Sequence, residues 1–192
     1  MMEHLYPLTP KHKPSLKIIS QIRDWASMML FVVALYTIVN LVSVRFVVDG
    51  ISMEPTFETG EFLLISRMNY LFGEPQRGDI VVFHSPTNPK EDFIKRVVGL
   101  PGETIEIRDR RIYIDGTQLD EPYLVDACSE AMCQTSIWQV GQDEIFVLGD
   151  NRNFSSDSRS FGAIKQSLIV GEAIIRYYPL REQFWIHQIG VN

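Results

Sequence analysis

An uninterrupted apolar stretch near the N-terminus constrains this chain more than any other feature. Ala26–Val44 contains no charged residue and no proline. Its length is close to the roughly 20 residues that a helix needs to cross the hydrocarbon core of a bilayer. Trp25 and Arg45, at its two ends, are residue types found at membrane–water interfaces. The stretch therefore predicts a transmembrane helix over residues 26–44.

Two alternatives account for part of this pattern. One is a buried helix of a soluble protein, but an apolar stretch without a polar stripe is poorly suited to that role. The other is a cleaved signal peptide. The apolar run is long for such a peptide, and no Ala-x-Ala site follows it. A retained membrane anchor is favoured over both.

The charges around the stretch predict its orientation. Four basic residues precede it: Lys11, Lys13, Lys17 and Arg23. Beyond it, Arg45 is the only basic residue before an acidic run that contains Asp49, Glu54 and Glu58. The positive-inside rule then predicts that residues 1–25 are cytoplasmic and that residues 45–192 form one extracytoplasmic domain. The last residues, 180–192, are too short and too polar to cross a membrane again.

Beyond the anchor, short segments rich in β-branched and aromatic residues alternate with turn signals. They predict strands at 61–67, 79–84, 93–99, 104–108, 111–115, 144–149 and 170–178. Isoleucines at alternate positions on both sides of Arg108-Asp109-Arg110 predict a hairpin. The one helix expected here is about a turn near residues 164–168. Many short strands with frequent turns predict a mostly β domain, a sandwich or barrel of antiparallel sheets.

The charge distribution excludes one class of function. The formal net charge is −6, and basic residues are clustered only at the N-terminus. A nucleic-acid-binding face needs grouped lysines and arginines to neutralise phosphates. We therefore expect no nucleic-acid partner.

The two cysteines, Cys128 and Cys133, lie in one polar stretch. They are either a small disulfide loop, which requires an oxidising compartment, or two unpaired thiols. A structural zinc site needs four ligands, and no histidine lies nearby in the sequence. The outward orientation predicted above favours the disulfide.

The choice of a catalytic base depends on a shortage of histidine. A serine hydrolase usually uses histidine, and the domain has only His84 and His187, neither in a distinctive motif or with zinc-ligand spacing. Lysine can replace histidine if burial in an apolar pocket lowers its pKa. Lys95 lies in the apolar run 93–98, with Arg96 on the opposite face of the strand. An edge-strand lysine that discourages aggregation is the alternative, and the segment alone favours it.

Two polar segments are candidates for the rest of a site. The first, residues 49–56, places Ser52 between Gly50 and Pro55, directly beyond the anchor. Glycine permits close backbone approach, and an N–H exposed in such a turn can donate to an oxyanion. A polar linker is the alternative there. The second, residues 149–159, follows an apolar strand and is either a functional loop with internal Asp–Arg pairing or a long surface turn.

Taken together, these segments resemble the type I signal peptidases, the membrane-bound Ser/Lys proteases of the bacterial export pathway. The resemblance covers nearly all of the chain beyond the anchor and rests on four motifs in the family's order. They are Ser52-Met53-Glu54-Pro55-Thr56, Arg77-Gly78-Asp79-Ile80-Val81-Val82-Phe83, Lys95-Arg96-Val97-Val98-Gly99-Leu100-Pro101-Gly102-Glu103, and the run from Gly149-Asp150-Asn151-Arg152 to Ser158-Arg159.

The resemblance implies a role for individual residues. Ser52 is then the acylating nucleophile, and its backbone N–H donates to the oxyanion. Lys95 is the neutral general base, and Ser155 hydrogen-bonds to its amine and orients it. Four further residues are implied to support the site structurally: Arg96, Asp150, Asp157 and Arg159.

The resemblance also implies a substrate and a setting. Family substrates are signal peptides of exported preproteins, with small residues at positions −1 and −3. The residues expected to line the shallow pockets for them are Gly50, Met53, Phe93 and Ile94. The implied fold is two antiparallel β-sheets with a hydrophobic surface facing the membrane lipid. We expect a monomer without metal or organic cofactor, in the plasma membrane or alternatively a thylakoid membrane.

Two residues depart from the family's pattern. Gly50 stands where some members have a serine that supplies a second oxyanion donor, and Phe154 occupies a position that is often polar. Two other functions stay open. One is a self-cleaving Ser/Lys protease related to the stress-response repressors, which are soluble and lack an anchor. The other is an anchored β-domain that binds exported chains or envelope partners, which would tolerate loss of the Ser–Lys pair.

Overall fold

A long apolar helix opens the part of the chain that the structure describes. The computed structural model describes residues 16–179 and Ile186, so most of the predicted cytoplasmic segment, His187 and the tail beyond residue 179, apart from Ile186, lie outside it. Helix α1 spans Leu16–Val42, and Lys17–Val42 is long and apolar enough to cross a membrane, by length and composition. The chain divides into two compact units between Leu41 and Val42.

The helix begins earlier and ends slightly earlier than the apolar stretch. Ser43 and Val44 were expected in the anchor, but they belong to strand β1, Ser43–Val47. They pair there with Ser66 and Ile65 of the next strand. Interstrand hydrogen bonds decide where the helix stops, which hydropathy cannot show.

The second unit is built around a seven-stranded antiparallel sheet. In spatial order its strands are β1, β2 (Phe62–Ser66), β11 (Ile169–Tyr178), β3 (Ile80–His84), β4 (Asp92–Gly99), β9 (Glu144–Leu148) and β10 (Ile164–Lys165). Apolar clusters cover both faces of its centre, with alternate residues of β3 and β4 contributing to each cluster. The last six residues of β4, residues 94–99, are therefore all buried, whichever face of the sheet they lie on.

A smaller, four-stranded antiparallel sheet buries one of its faces in an apolar cluster shared with β4 and β9 of the larger sheet. Its strands, in spatial order, are β7 (Thr117–Gln118), β6 (Arg111–Ile114), β5 (Thr104–Arg108) and β8 (Ser136–Gln139). The predicted hairpin is present as β5–β6, and its isoleucines are buried. Asp109 and Arg110 form its two-residue turn with φ of 50° and 62°, as hairpin turns require. The predicted fold class, an apolar helix followed by two antiparallel sheets, is confirmed.

Several short strands and helices were not predicted from the sequence. Strands β1, β7, β8 and β10 were not predicted: β7 and β10 have two residues each, β1 begins inside the apolar stretch assigned to the anchor, and two of the four residues of β8 are polar. The turn of helix expected near residues 164–168 is confirmed, but the expectation that it is the only helix beyond the anchor was wrong. The structure has α2 (Asn69–Phe72), α3 (Ser158–Phe161) and a 3-10 helix at Gln166–Leu168.

The predicted pairing of the two cysteines is also present. Cys128 and Cys133 form a disulfide with their Cα atoms 5.9 Å apart. Both side chains are buried in the apolar cluster of the smaller sheet, with Ile107 and Ile112 of the β5–β6 hairpin. The bridge closes a small loop, residues 128–133, that packs beside the loop following β9.

Candidate active site

Ser52 and Lys95 meet although they are far apart in the sequence. Ser52 lies in the turn between β1 and β2, and this turn is fixed by Met53 and Phe57, which are 0% and 2% exposed. Lys95 lies at the centre of β4. Its Nζ donates a hydrogen bond to Ser52 Oγ at 2.8 Å. The hydroxyl predicted to act as nucleophile and the amine predicted to act as base are thus in direct contact, the geometry required for proton transfer.

The surroundings of Lys95 disfavour its charged form. The side chain is 4% exposed, and Nζ makes a second hydrogen bond, to the Ile94 carbonyl at 2.9 Å. Nζ also lies 5.4 Å from the centre of the Phe93 ring. Within the described residues, no carboxylate is in salt-bridge range of this amine. Burial lowers the pKa of Lys95 to about 8, although the negative charges of Asp157 and Asp150 act in the opposite direction.

Arg96, the next residue, is equally buried but is fully paired. Its Nε and Nη2 donate to the two carboxylate oxygens of Asp150 at 2.9 and 2.7 Å, and Nη1 donates to the Gly78 carbonyl at 3.0 Å. The guanidinium also stacks 4.1 Å from the centre of the Tyr123 ring. The bidentate pair fixes the start of the loop after β9 against β4.

A second bidentate pair fixes the other end of that loop. Arg159 donates to both carboxylate oxygens of Asp157 at 2.8 Å. Asp157 also accepts from the Gly149 N–H at 3.1 Å and caps helix α3 through the Arg159 N–H. Arg159 Nη1 lies 3.5 Å from each sulfur of the Cys128–Cys133 disulfide. The disulfide loop therefore contacts the arginine that holds the loop after β9.

Ser155 does not make the contact that the sequence predicted. Its Oγ is buried and has no hydrogen-bond partner within the described part of the chain. The predicted hydrogen bond to the Lys95 amine is therefore wrong for this structure. Lys95 Nζ is directed at Ser52 and the Ile94 carbonyl instead, whereas the Ser155 hydroxyl packs against Gly149, where an added Cβ would lie 2.2 Å from it.

A cleft of about 330 Å³ opens at the Ser52–Lys95 pair. Of the four residues predicted to bind substrate, Gly50, Phe93 and Ile94 line it. Met53 was wrongly assigned to this surface, because its side chain is fully buried in the apolar core with Val48 and Leu63. The other residues lining the cleft are Phe46, Val47, Asp49, Ile51, Asp92, Phe154 and Ser156. Among the described residues, no three His, Cys, Asp or Glu side chains are grouped to hold a metal ion.

Two residues that sequence reasoning left without a role position the turn that carries the nucleophile. Asn151 donates from its backbone N–H to the Ser52 carbonyl at 3.0 Å and from Nδ2 to the Ile51 carbonyl at 3.1 Å. Thr56 Oγ1 donates to Asp150 at 2.5 Å. Both lie inside the quoted motifs, but their partners are about a hundred residues away. The Ser52 N–H itself has no hydrogen-bond acceptor among the residues described.

A third buried ion pair was also missed. Arg152 pairs with Glu121 and donates from Nε to the Gly149 carbonyl at 3.0 Å. Arg152 was visible in the last motif, whereas Glu121 lies in a segment without any pattern. Three arginines, Arg96, Arg152 and Arg159, thus hold the loop after β9 from three sides. Each is paired with its own carboxylate, and none of these three ion pairs includes Lys95.

The comparisons with known proteins point to one family. A family model described as "Signal peptidase, peptidase S26" matches residues 22–178. The chain is 41% identical over 151 residues to "Signal peptidase I" of Bacillus caldolyticus, which covers 72% of this chain and 81% of that protein. It is 31% identical over 180 residues to "Signal peptidase IB" of Staphylococcus aureus (strain COL), which covers 84% and 92%. A crystal structure of a signal peptidase I from Enterococcus faecalis V583 is 41% identical, with a TM-score of 0.47, over 52% of this chain and 96% of that one.

Proposed function

The chain belongs to the signal peptidase family, peptidase S26, and we propose that it cuts signal peptides with Ser52 as nucleophile and Lys95 as general base. It is a serine peptidase of the signal peptidase I type, whose N-terminal apolar helix anchors it in the membrane. One observation carries the assignment of the site: the Lys95 amine is buried and lies 2.8 Å from Ser52 Oγ, and no carboxylate in the described part of the chain is in salt-bridge range of it.

The reaction begins with transfer of a proton inside this pair. Neutral Lys95 takes the proton of Ser52 Oγ as the oxygen attacks the carbonyl carbon of the scissile bond. The Ser52 N–H, which has no acceptor among the described residues, donates to the oxyanion that forms. Protonated Lys95 then gives its proton to the leaving amine as the C–N bond breaks. A water molecule, deprotonated by Lys95, hydrolyses the acyl-enzyme ester and releases the signal peptide with a free carboxylate.

Burial makes Lys95 able to act as a base near neutral pH. Its pKa is lowered to about 8, so about a tenth of the amine is neutral at pH 7 and half is neutral at pH 8. An exposed lysine would be neutral in less than about one molecule in a thousand at pH 7. The apolar surroundings therefore supply a usable fraction of neutral base.

The supporting residues act on the position of the pair. Arg96 with Asp150, and Arg159 with Asp157, hold both ends of the loop after β9 and keep two carboxylates away from the Lys95 amine. Ser155 supports the site by packing against Gly149, not through a hydrogen bond to Lys95. Gly50 has no side chain that could add an oxyanion donor, so the Ser52 N–H is the one donor that we assign.

The substrate lies in the cleft beside the pair. We propose that small residues at −1 and −3 of a preprotein face its floor, which Ile94 and Phe93 help to form. The domain faces the extracytoplasmic side, with residues 1–25 in the cytoplasm, and works as a monomer in a plasma or thylakoid membrane. Both the outward orientation and the Cys128–Cys133 disulfide fit an oxidising compartment.

The test replaces the two residues separately in the full-length chain. Ser52→Ala and Lys95→Ala are assayed for cleavage of a preprotein in detergent micelles, beside Ser136→Ala and Lys165→Ala, which lie outside the cleft. Loss of a nucleophile or a base in such a pair costs at least about 10³-fold in rate. Parental rates are expected for the two control variants. Near-parental cleavage by Lys95→Ala contradicts the Ser–Lys mechanism, and it is the result that an anchored binding domain would give.

A further inference from the structure

An exposed aromatic ring lies at the rim of the catalytic cleft. Phe154 lines the same cleft as Ser52 and Lys95, and 67% of its surface is exposed. Neither the proposed mechanism nor the supporting network uses this side chain. An apolar ring exposed inside a cleft gains free energy if an apolar side chain of the substrate covers it.

The backbone that carries the ring is held on both sides. The Phe154 N–H donates to the Asn151 carbonyl at 3.1 Å. Its neighbour Asn153 accepts from the Ser129 N–H at 2.8 Å and donates to the Ala127 carbonyl at 3.3 Å, which ties it to the disulfide loop. Ser155, on the other side, is buried. Phe154 therefore extends from a fixed backbone, and an aromatic side chain with two rotatable bonds loses little freedom on contact.

The depth of the lining residues indicates which substrate side chain the ring meets. Ile94, at the floor, is 4% exposed, whereas Phe154, at the rim, is 67% exposed. Side chains of an extended peptide point alternately to opposite sides. If the small residues at −1 and −3 face the floor, the side chain at −2 points away from it, toward the rim.

We propose that Phe154 is a specificity-determining residue that favours an apolar side chain at position −2 of the substrate. The inference rests on the proposed function, since it places a signal peptide in this cleft. It assigns Phe154 a contact with substrate and no part in proton transfer. A polar residue at position 154 would leave the −2 side chain in solvent and remove the preference.

The test compares two substrates and two phenylalanines. Peptides that differ only at −2, with Leu or Ser, are cleaved by the full-length chain in detergent micelles, by Phe154→Asn and by Phe72→Asn. Phe72 is 86% exposed and lies on α2, outside the residues that line the cleft. For one apolar contact we expect the parent and Phe72→Asn to prefer Leu by about tenfold in kcat/KM. The ratio should fall below about threefold in Phe154→Asn, through slower cleavage of the Leu peptide alone, and Phe154→Leu should retain it.

Two outcomes overturn the inference. An unchanged Leu-to-Ser ratio in Phe154→Asn shows that the ring does not read position −2. An equal loss for both peptides shows a general effect, such as contact with lipid or detergent. Neither outcome touches the proposed function, which fails instead if the parent cleaves neither peptide in a Ser52-dependent way.

Discussion

The two faces of strand β4 carry neighbouring cations with the same burial and opposite surroundings. On one face, Arg96 is 1% exposed and is bonded to both oxygens of Asp150. On the other, Lys95 is 4% exposed and contacts the Ser52 hydroxyl and a backbone carbonyl. A buried cation with a carboxylate partner stays charged, whereas one without a partner loses its proton more readily. Adjacent residues thus provide a structural clamp and the base that we propose.

The two carboxylates whose charges act on Lys95 are each paired with an arginine. Asp150 and Asp157 are close enough for their charges to raise the pKa of Lys95. Each is bonded to a guanidinium, and the partner arginines are fixed in direction by further contacts. A carboxylate released from its arginine would favour protonated Lys95 and reduce the fraction of neutral base. The Arg96–Asp150 pair on one face of β4 therefore helps to maintain the fraction of neutral Lys95 on the other face.

The largest expected loss of stability comes from removing the Arg96–Asp150 ion pair. Arg96→Met removes the guanidinium and leaves Asp150 buried without its partner, a change that costs about 3–5 kcal/mol of unfolding free energy in comparable pairs. Chemical denaturation of the full-length chain in micelles measures it, with the exposed strand residue Arg111→Met as the control, expected within about 0.5 kcal/mol of the parent. Asp150→Asn, added to Arg96→Met, should recover part of the loss. A loss below about 1 kcal/mol for Arg96→Met would mean that the pair does not hold the loop.

A smaller loss is expected from crowding the contact between the loop and the nucleophile. A Cβ at Gly149 would lie 2.5 Å from the Ser52 carbonyl oxygen and 2.6 Å from Ser155 Cβ. Gly149→Ala should cost about 1–3 kcal/mol of stability and should lower kcat/KM at least about 100-fold by displacing Ser52.

Gly116→Ala is the matched control for this displacement. Gly116 has a φ of +82° and open space around it, in the turn between β6 and β7. Its replacement should lower stability by about 1 kcal/mol through backbone strain and leave kcat/KM unchanged. If Gly149→Ala also keeps the parental kcat/KM, the loop does not set the position of Ser52.

Replacing Lys95, on the other face of β4, is expected to raise the unfolding free energy, whereas replacing Arg96 lowers it. The pKa of Lys95, lowered from 10.5 to about 8, means that burial disfavours its protonated form by about 3 kcal/mol at pH 7. Lys95→Met removes that cost together with two hydrogen bonds, so we expect it to raise the unfolding free energy at pH 7 by about 1–2 kcal/mol while abolishing cleavage. Lys165→Met, at an exposed position of β10, should change stability by less than about 0.5 kcal/mol.

The pH dependence of this gain follows from the same shift. Because the folded pKa of Lys95 is the lower one, the unfolded chain binds more protons between about pH 8 and pH 10.5, and the parent becomes more stable as pH rises through that window. The advantage of Lys95→Met should therefore shrink across it. If Lys95→Met is less stable than the parent at pH 7, burial of the protonated amine does not destabilise the folded chain as we infer.

The sequence predicted local structure better than it predicted the site, whose residues come from distant segments. The β5–β6 hairpin was predicted because its strands are adjacent in the sequence and its isoleucines alternate, whereas its register is known only from the structure. The site could be proposed only through the family resemblance, since Lys95 and Ser52 are 43 residues apart, and Arg96 and Asp150 are 54 apart. Met53 was misassigned because the resemblance places it beside the nucleophile but does not show that its side chain is buried in the core. The failed Ser155 contact depended on packing against Gly149, which no local pattern records.

The most direct test of the account is the pH dependence of kcat/KM for cleavage of a signal peptide substrate by the full-length chain. If neutral Lys95 is the base in the free enzyme, kcat/KM should rise about tenfold per pH unit below pH 8 and level off above it. The limb should give an apparent pKa of about 8, the value to which burial lowers the pKa of Lys95. A rate that is constant between pH 6 and pH 9, or a limb centred near pH 6.5 as an ordinary histidine would give, would contradict the assignment of Lys95 as the base for Ser52.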